Sequence, residues 1–190
     1  MKLNTGHEMP LLGLGTWQAP PGEVGAAVRV ALLAGYRHID CAACYGNEKE
    51  IGEVFGAMVG DGAGQIPRSE LFVTSKLWNS EHAPALVRPA LEQTLADLRL
   101  AYVDLYLVHW PQAFEKVPGT TRGFPRNEDG SMRYDLASSS ADTWGAMEAC
   151  AEAGLARSIG LSNFNSLQIA ALKAAAGTKI APAVNQVEVS

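Results

Sequence analysis

The chain has 190 residues, is 47% hydrophobic and 18% charged, and carries a formal net charge of -5, the composition of an ordinary one-domain globular protein with a sizeable core. No block of Lys or Arg gives it the electrostatic footprint of a nucleic-acid binder, no run approaches the ~18–20 apolar residues of a membrane span, and the start Met1-Lys2-Leu3-Asn4-Thr5-Gly6 lacks the apolar core of a signal peptide. Three cysteines, Cys41, Cys44 and Cys150, are too few for a disulfide framework, so a soluble, cytoplasmic protein that works on small molecules is expected.

Taken in chain order, residues 3–11 read as a short hairpin around Gly6, which in a barrel would cover the floor. A first apolar run at 12–15 precedes a helix opened by Pro20-Pro21-Gly22-Glu23 and stopped by Gly35. The unit then recurs. A strand at 38–41 leads to a helix near 48–59, and a strand at 71–76 leads, after a Ser80 cap, to a helix near 84–98. A strand at 104–109 is followed by a long loop over 112–140 and a helix near 141–153. A strand at 156–161 leads to Asn165-Ser166-Leu167-Gln168, a capping-box start of the next helix, and 181–189 reads as a sixth strand. Cys41-Ala42-Ala43-Cys44 has the spacing of a redox pair, but the helix signal comes later, at Asn47-Glu48-Lys49-Glu50. Half-buried cysteines at a strand exit are the plainer reading.

Strand and helix alternating at roughly 30 residues per unit imply a parallel sheet. A doubly wound dinucleotide fold should show G-x-G-x-x-G after its first strand, yet Gly13-Leu14-Gly15 is followed by Thr16-Trp17-Gln18. Polar groups stand at nearly every strand end instead: Asp40, Lys76, His109, Ser162-Asn163 and Asn185-Gln186. That distribution favours an α/β fold of the (β/α)8 TIM-barrel type, whose sites form on the rim where parallel strands end. Six units are legible where such a barrel takes eight and about 250 residues, so a C-terminally truncated barrel is expected.

The segments Gly13-Leu14-Gly15-Thr16-Trp17, Gly35-Tyr36-Arg37-His38-Ile39-Asp40-Cys41-Ala42, Tyr45-Gly46-Asn47-Glu48, Val73-Thr74-Ser75-Lys76-Leu77-Trp78, Asp104-Leu105-Tyr106-Leu107-Val108-His109-Trp110-Pro111, Gly160-Leu161-Ser162-Asn163-Phe164 and Asn185-Gln186-Val187-Glu188 carry a resemblance. In that order, the chain resembles the aldo-keto reductases, most closely their NADP-dependent aldehyde reductases. The resemblance implies reduction of an aldehyde or ketone by hydride transfer from NADPH, with Tyr45 as acid, Lys76 and Asp40 tuning it, and His109 orienting the substrate. It also implies a cofactor site at Gly15, Thr16, Trp17, Asp40, Ser162, Asn163 and Gln186, with the last three on the nicotinamide carboxamide.

Those roles make chemical sense on their own. Carbonyl reduction needs a proton donor within hydrogen-bond reach of the oxygen. A lysine ammonium about 4 Å from Tyr45, at an effective dielectric near 20, would favour the phenolate by roughly 4 kcal/mol, about three pKa units, before desolvation takes some back. That would let Tyr45 work near neutrality. Asp40 would hold the proton on a buried Lys76, and neutral His109 could donate to the carbonyl oxygen. Trp17, Trp78 and Trp110 follow strand ends and are expected, with His109, to wall the substrate mouth, whereas Trp144 falls in a helix and is expected to pack. The loop over 112–140, with Phe114, Arg122, Arg126 and Tyr134, reads as a flap or as a plain surface insertion. No cluster of His, Cys and carboxylate has metal-ligand spacing, so carbonyl polarisation without a metal is expected. Set against the catalytic reading are a core tyrosine, a structural ion pair and a buried histidine. A regulatory cofactor-binding module and an inactive fragment are the rival functions.

Overall fold

Strand and helix alternate in a computed structural model that describes residues 1–118, 123–175 and 177–189. Six strands, β1 (Leu14–Gly15), β2 (His38–Asp40), β3 (Phe72–Leu77), β4 (Val103–Val108), β5 (Ala156–Ser162) and β6 (Asn185–Gln186), form one sheet in sequence order. Every neighbouring pair is parallel. A doubly wound sheet would reverse its order at a switch point. Consecutive order without reversal is the order of a barrel wall, and the sheet is an incomplete (β/α)8 barrel with six of its strands.

Five helices, α1 (Val24–Leu33), α2 (Glu48–Met58), α3 (Pro84–Leu98), α4 (Ser140–Glu152) and α5 (Ser166–Ala174), alternate with the strands. Local chemistry fixes their ends. Asn165 and Gln168 form the expected capping box on α5, and Ser139 accepts from Asp142 N at 3.1 Å to open α4. The start of α1 borrows its cap: Glu50 of α2 accepts from Gly22 N at 3.0 Å and Gly25 N at 2.7 Å, placing a carboxylate at the positive end of the helix dipole. Ser80 does not cap α3. It lies in a 3-10 turn, Asn79–Glu81, and the position before α3 is Ala83, which makes no side-chain bond. Pro84 at the helix start has no N–H to satisfy, so less capping is needed. Among the described residues, no helix is long and apolar enough to cross a membrane.

Alternation along each strand sorts side chains between two layers. Ile39, Val73, Leu77, Tyr106, Val108, Ile159 and Leu161 face the helices and join Val28, Phe55, Leu91, Leu98 and Trp144 in the main core. The alternate positions turn to the barrel interior. There Phe72, Leu105 and Leu107 pack on Leu3 from the N-terminal turn, in which Lys2 bridges Glu8 antiparallel. One end of the interior is thus plugged by apolar side chains. Following the same parity to the strand ends brings Asp40, Lys76, His109 and Ser162 inward on the opposite rim, a placement that follows from counting residues by two.

Three elements are shorter than the sequence pattern predicts. β1 begins at Leu14 because Leu11 and Leu12 are exposed, at 89% and 67%, and join no strand pairing among the described residues. Pro20 to Glu23 form a turn rather than the first turn of α1. β6 spans two residues, although its approach is already bonded to β5 through Ala183 N to Ile159 O at 2.9 Å and Leu161 N to Val184 O at 2.9 Å.

Close approach of α2 to the end of α3 depends on Gly52. A Cβ there would lie 2.0 Å from the Asp97 carbonyl oxygen and 3.0 Å from its carbon, and backbone cannot swing aside as a side chain can. Gly52→Ala is expected to destabilise the fold by about 3 kcal/mol or more, the upper range for overpacking, despite the higher helix propensity of alanine. Urea denaturation of the variant checks this, and a midpoint equal to the parent's would contradict the packing argument.

Candidate active site

The inward strand ends converge on Lys76. Its Nζ donates to Asp40 Oδ2 at 2.7 Å, to the Cys41 carbonyl at 3.0 Å and to Tyr45 Oη at 3.2 Å, so all three ammonium donors are used. Lys76 is only 1% exposed. Tyr45 reaches it because β2 runs straight into a 3-10 turn, Ala43–Tyr45, which Gly46 ends at φ 72°, a left-handed conformation suited to glycine. His109 follows β4 directly, with its N–H on the Leu77 carbonyl at 3.1 Å. The His109 ring stands edge-on to Tyr45 and Trp78, at centroid distances of 5.8 and 5.3 Å.

A cavity of about 470 Å³ opens above this group and is lined by Tyr45 and His109, with the Trp17, Trp78 and Trp110 rings around them. Lys76 and Asp40 lie beneath it and do not line it. The arrangement has two tiers: a phenol and an imidazole facing the cavity, and an ion pair supporting the phenol from below.

Electrostatics correct one expectation. Burial raises the Tyr45 phenol above its ordinary value of 10, and although Lys76 opposes this by charge and by its hydrogen bond, the net direction is upward, with Asp40 adding to the rise. Burial is the largest influence on Tyr45, and with the Asp40 carboxylate offsetting part of the ammonium's pull, the desolvation expected to take back only some of the shift reverses it. It is therefore a phenol across the neutral range. Burial also works against the charge on Lys76, but the Asp40 charge and the Tyr45 contact outweigh it, and its pKa is raised. His109 is pushed down to about 3 by burial and by the nearby Lys76 charge, so it is a neutral imidazole.

Ser162, Asn163 and Gln186 line the same cavity from β5 and β6. Gln186 Nε2 donates to Asp40 Oδ1 at 3.0 Å, and Ser162 Oγ donates to the Gln186 carbonyl at 3.0 Å. Asn163, held at φ 62°, donates from Nδ2 to the His109 carbonyl at 2.9 Å. These bonds spend amide N–H groups and leave the side-chain carbonyls of Asn163 and Gln186 for a ligand, which suits a carboxamide that both donates and accepts. The residues present therefore fit the nicotinamide end of a dinucleotide. Thr16 is differently placed: it is buried, its hydroxyl donates to the Asp40 carbonyl at 2.9 Å, and neither it nor Gly15 lines the cavity.

The described parts of the segment after β4 form a small antiparallel unit, with Phe114 bridged to Tyr134 and Arg126 to Met132. Its Phe114 packs on Trp78 and Tyr134, and Trp78 Nε1 donates to the Gly123 carbonyl at 3.1 Å. Arg122 lies outside the described residues. Cavity residues not picked out from the sequence are Phe124, Val187, Glu188 and Cys44. Phe124 sits 5.2 Å from Trp78; an aromatic residue in the flap loop was its one available signal. Cys41, by contrast, is fully buried and its thiol is pushed well up by burial, the opposite of the exposed, low-pKa thiol on which a C-x-x-C redox pair depends. Trp144 packs in the core and bonds the Ile180 carbonyl at 2.9 Å.

Buried neutral histidines set an acid limit on the fold. Burial pushes His82 down to about 4, with Asp135 opposing, and His109 to about 3. In the unfolded chain both take a proton near 6.5, so as pH falls below 6.5 the unfolded state binds protons first and stability is lost towards pH 4 and 3. Each site is expected to cost about 2 kcal/mol on going from pH 7 to 5. Urea midpoints measured at the two pH values check the sum, and His82→Gln should shrink the difference by about half.

Comparison with known proteins adds an independent line. The sequence model of the Aldo/keto reductase family matches residues 11–190. Aldo-keto reductase family 1 member A1 of Sus scrofa is 57% identical over 186 residues, covering 98% of this chain and 55% of the relative, and that of Homo sapiens is 56% identical over the same length. The chain spans about 55% of the length of these curated relatives. Aldose reductase from Schistosoma japonicum superposes with a TM-score of 0.91 at 46% identity, covering all of this chain and 60% of that one. The Giardia lamblia aldose reductase gives 0.88 at 46% identity over 93% of this chain.

Proposed function

The chain belongs to the aldo/keto reductase family, and on that premise we propose that it serves a cytoplasmic, NADPH-dependent reductase of aldehydes to primary alcohols, with Tyr45 as the proton donor. The observation that carries the reading is the Lys76 to Tyr45 hydrogen bond of 3.2 Å beneath a cavity that Tyr45 and His109 both line. When bound, NADPH supplies a hydride to the carbonyl carbon. Ser162, Asn163 and Gln186 would hold its carboxamide, and the rest of the chemistry falls to the chain's own groups.

A carbonyl oxygen in the cavity meets two neutral donors, the Tyr45 phenol and the His109 imidazole. As negative charge develops on that oxygen, the phenol proton moves to it, and the phenolate left behind faces the Lys76 ammonium. Lys76 keeps its charge through Asp40 at 2.7 Å, so the proton goes from Tyr45 and not from an exhausted lysine. Neutral His109 keeps a donor on the oxygen and, with the Trp78 ring edge-on to it, limits the orientations an aldehyde can take. The apolar wall of Trp17, Trp78, Trp110 and Phe124 suits an uncharged substrate body.

Aldehyde-dependent loss of NADPH absorbance, with the alcohol identified as product, tests the activity. Cofactor binding is checked separately by quenching of tryptophan fluorescence on titration with NADPH. Folded protein that binds NADPH and turns over no aldehyde would favour the regulatory alternative.

A further inference from the structure

Cys44 occupies an unusual place for a thiol. It lines the 470 Å³ cavity, stands next to Tyr45 in the chain, and its Sγ lies 3.5 Å from His109 Nδ1. His109 is 7% exposed and lines the same cavity, and among the described residues the Cys44 contact is the one hydrogen bond recorded for its ring. The second ring nitrogen is therefore open to a ligand held against the thiol. The other two cysteines, Cys41 and Cys150, are 0% and 1% exposed. One thiol of three shares a chamber with the groups that would receive a carbonyl.

Resting on the reductase reading of that chamber, we propose that Cys44 is a covalent modification site for small α,β-unsaturated aldehydes, which makes the enzyme self-limiting towards this class of its own substrates. Such a molecule offers the carbonyl the cavity is built to take and, two carbons away, a soft electrophilic carbon. The sulfur bonds to the β-carbon, the π pair of the carbon–carbon double bond moves to the α-carbon, and the proton released by sulfur ends there. Nothing is oxidised or reduced, and the aldehyde survives on the adduct. His109 is a neutral hydrogen-bond partner and too weak a base to activate the thiol strongly. Selectivity comes from holding the electrophile beside the sulfur, the effective-concentration advantage of a bound reactant. The adduct fills the cavity in front of Tyr45 and stops turnover.

The test uses trans-2-hexenal without NADPH, so that no reduction competes, and reads adducts by intact mass and peptide mapping. A single adduct on Cys44 is expected, with a rate that saturates in hexenal concentration and falls at least fivefold in the presence of hexanal. Cys41 and Cys150 should label only in denaturant. Iodoacetamide, which carries no aldehyde for the site, should react without saturation. Cys44→Val and Cys44→Ser should take up no hexenal under native conditions, and the labelled parent, freed of excess reagent, should lose at least tenfold of its hexanal turnover. Adducts spread over the three cysteines, or an unsaturable rate indifferent to hexanal, would overturn the proposal. Failure of the reductase reading would appear separately, as unlabelled protein that turns over no hexanal.

Discussion

Tyr45→Phe is expected to lower kcat for aldehyde reduction at least a hundredfold, since a positioned general acid contributes about 10²–10⁴-fold. The substitution removes one oxygen and keeps the ring that packs 5.8 Å from His109 and 6.5 Å from Trp17. Lys76 loses one of three acceptors and retains Asp40 and the Cys41 carbonyl. The fold and the affinity for NADPH should therefore change little, the lost hydrogen bond being worth about 1 kcal/mol. Because burial keeps the phenol protonated, with its pKa above 10, the parent's kcat should stay level from pH 6 to 9. A variant whose kcat lies within tenfold of the parent's would remove Tyr45 from the mechanism.

What the sequence made legible was whatever depends on local pattern and parity. The capping box at Asn165 and Gln168 and the span of α3, Pro84–Leu98, follow from side-chain chemistry within a few residues. The consecutive strand order follows from the regular alternation of units, and the clustering of Asp40, Lys76 and His109 from strand ends that must share a rim in any parallel barrel. Facts needing a second segment were out of reach. Glu50 caps α1 across a helix interface, and Gly52 is forced by the Asp97 carbonyl of another helix. Phe124 enters the cavity because its loop folds back on Trp78. The protonation of Tyr45 departs from the expectation for the same reason: desolvation of the phenol is a tertiary effect whose size the sequence does not give, and with the Asp40 charge it outweighs the attraction of Lys76.

The Asp40–Lys76 pair makes the largest stability effect predictable. Lys76→Met keeps the apolar stem of a side chain that is 1% exposed and removes the ammonium that meets Asp40 at 2.7 Å. Asp40 is then left with a Gln186 amide at 3.0 Å as its side-chain partner. Removing one partner of a buried ion pair costs about 3–5 kcal/mol, most of it the burden of an uncompensated charge, and the 19% exposure of the Asp40 side chain puts the expectation at the lower end of that range. Turnover should fall as steeply as in Tyr45→Phe, since a phenolate formed at Tyr45 would face no cation. Stability and catalysis can then be pulled apart with a second change. Adding Asp40→Asn removes the stranded charge, so the Lys76→Met/Asp40→Asn protein should recover at least half of the lost urea stability while its kcat stays low. Recovery of both together would mean that the pair acts on catalysis through folding alone, and recovery of neither would mean that the ammonium's remaining bond, to the Cys41 carbonyl at 3.0 Å, anchors the turn that carries Tyr45.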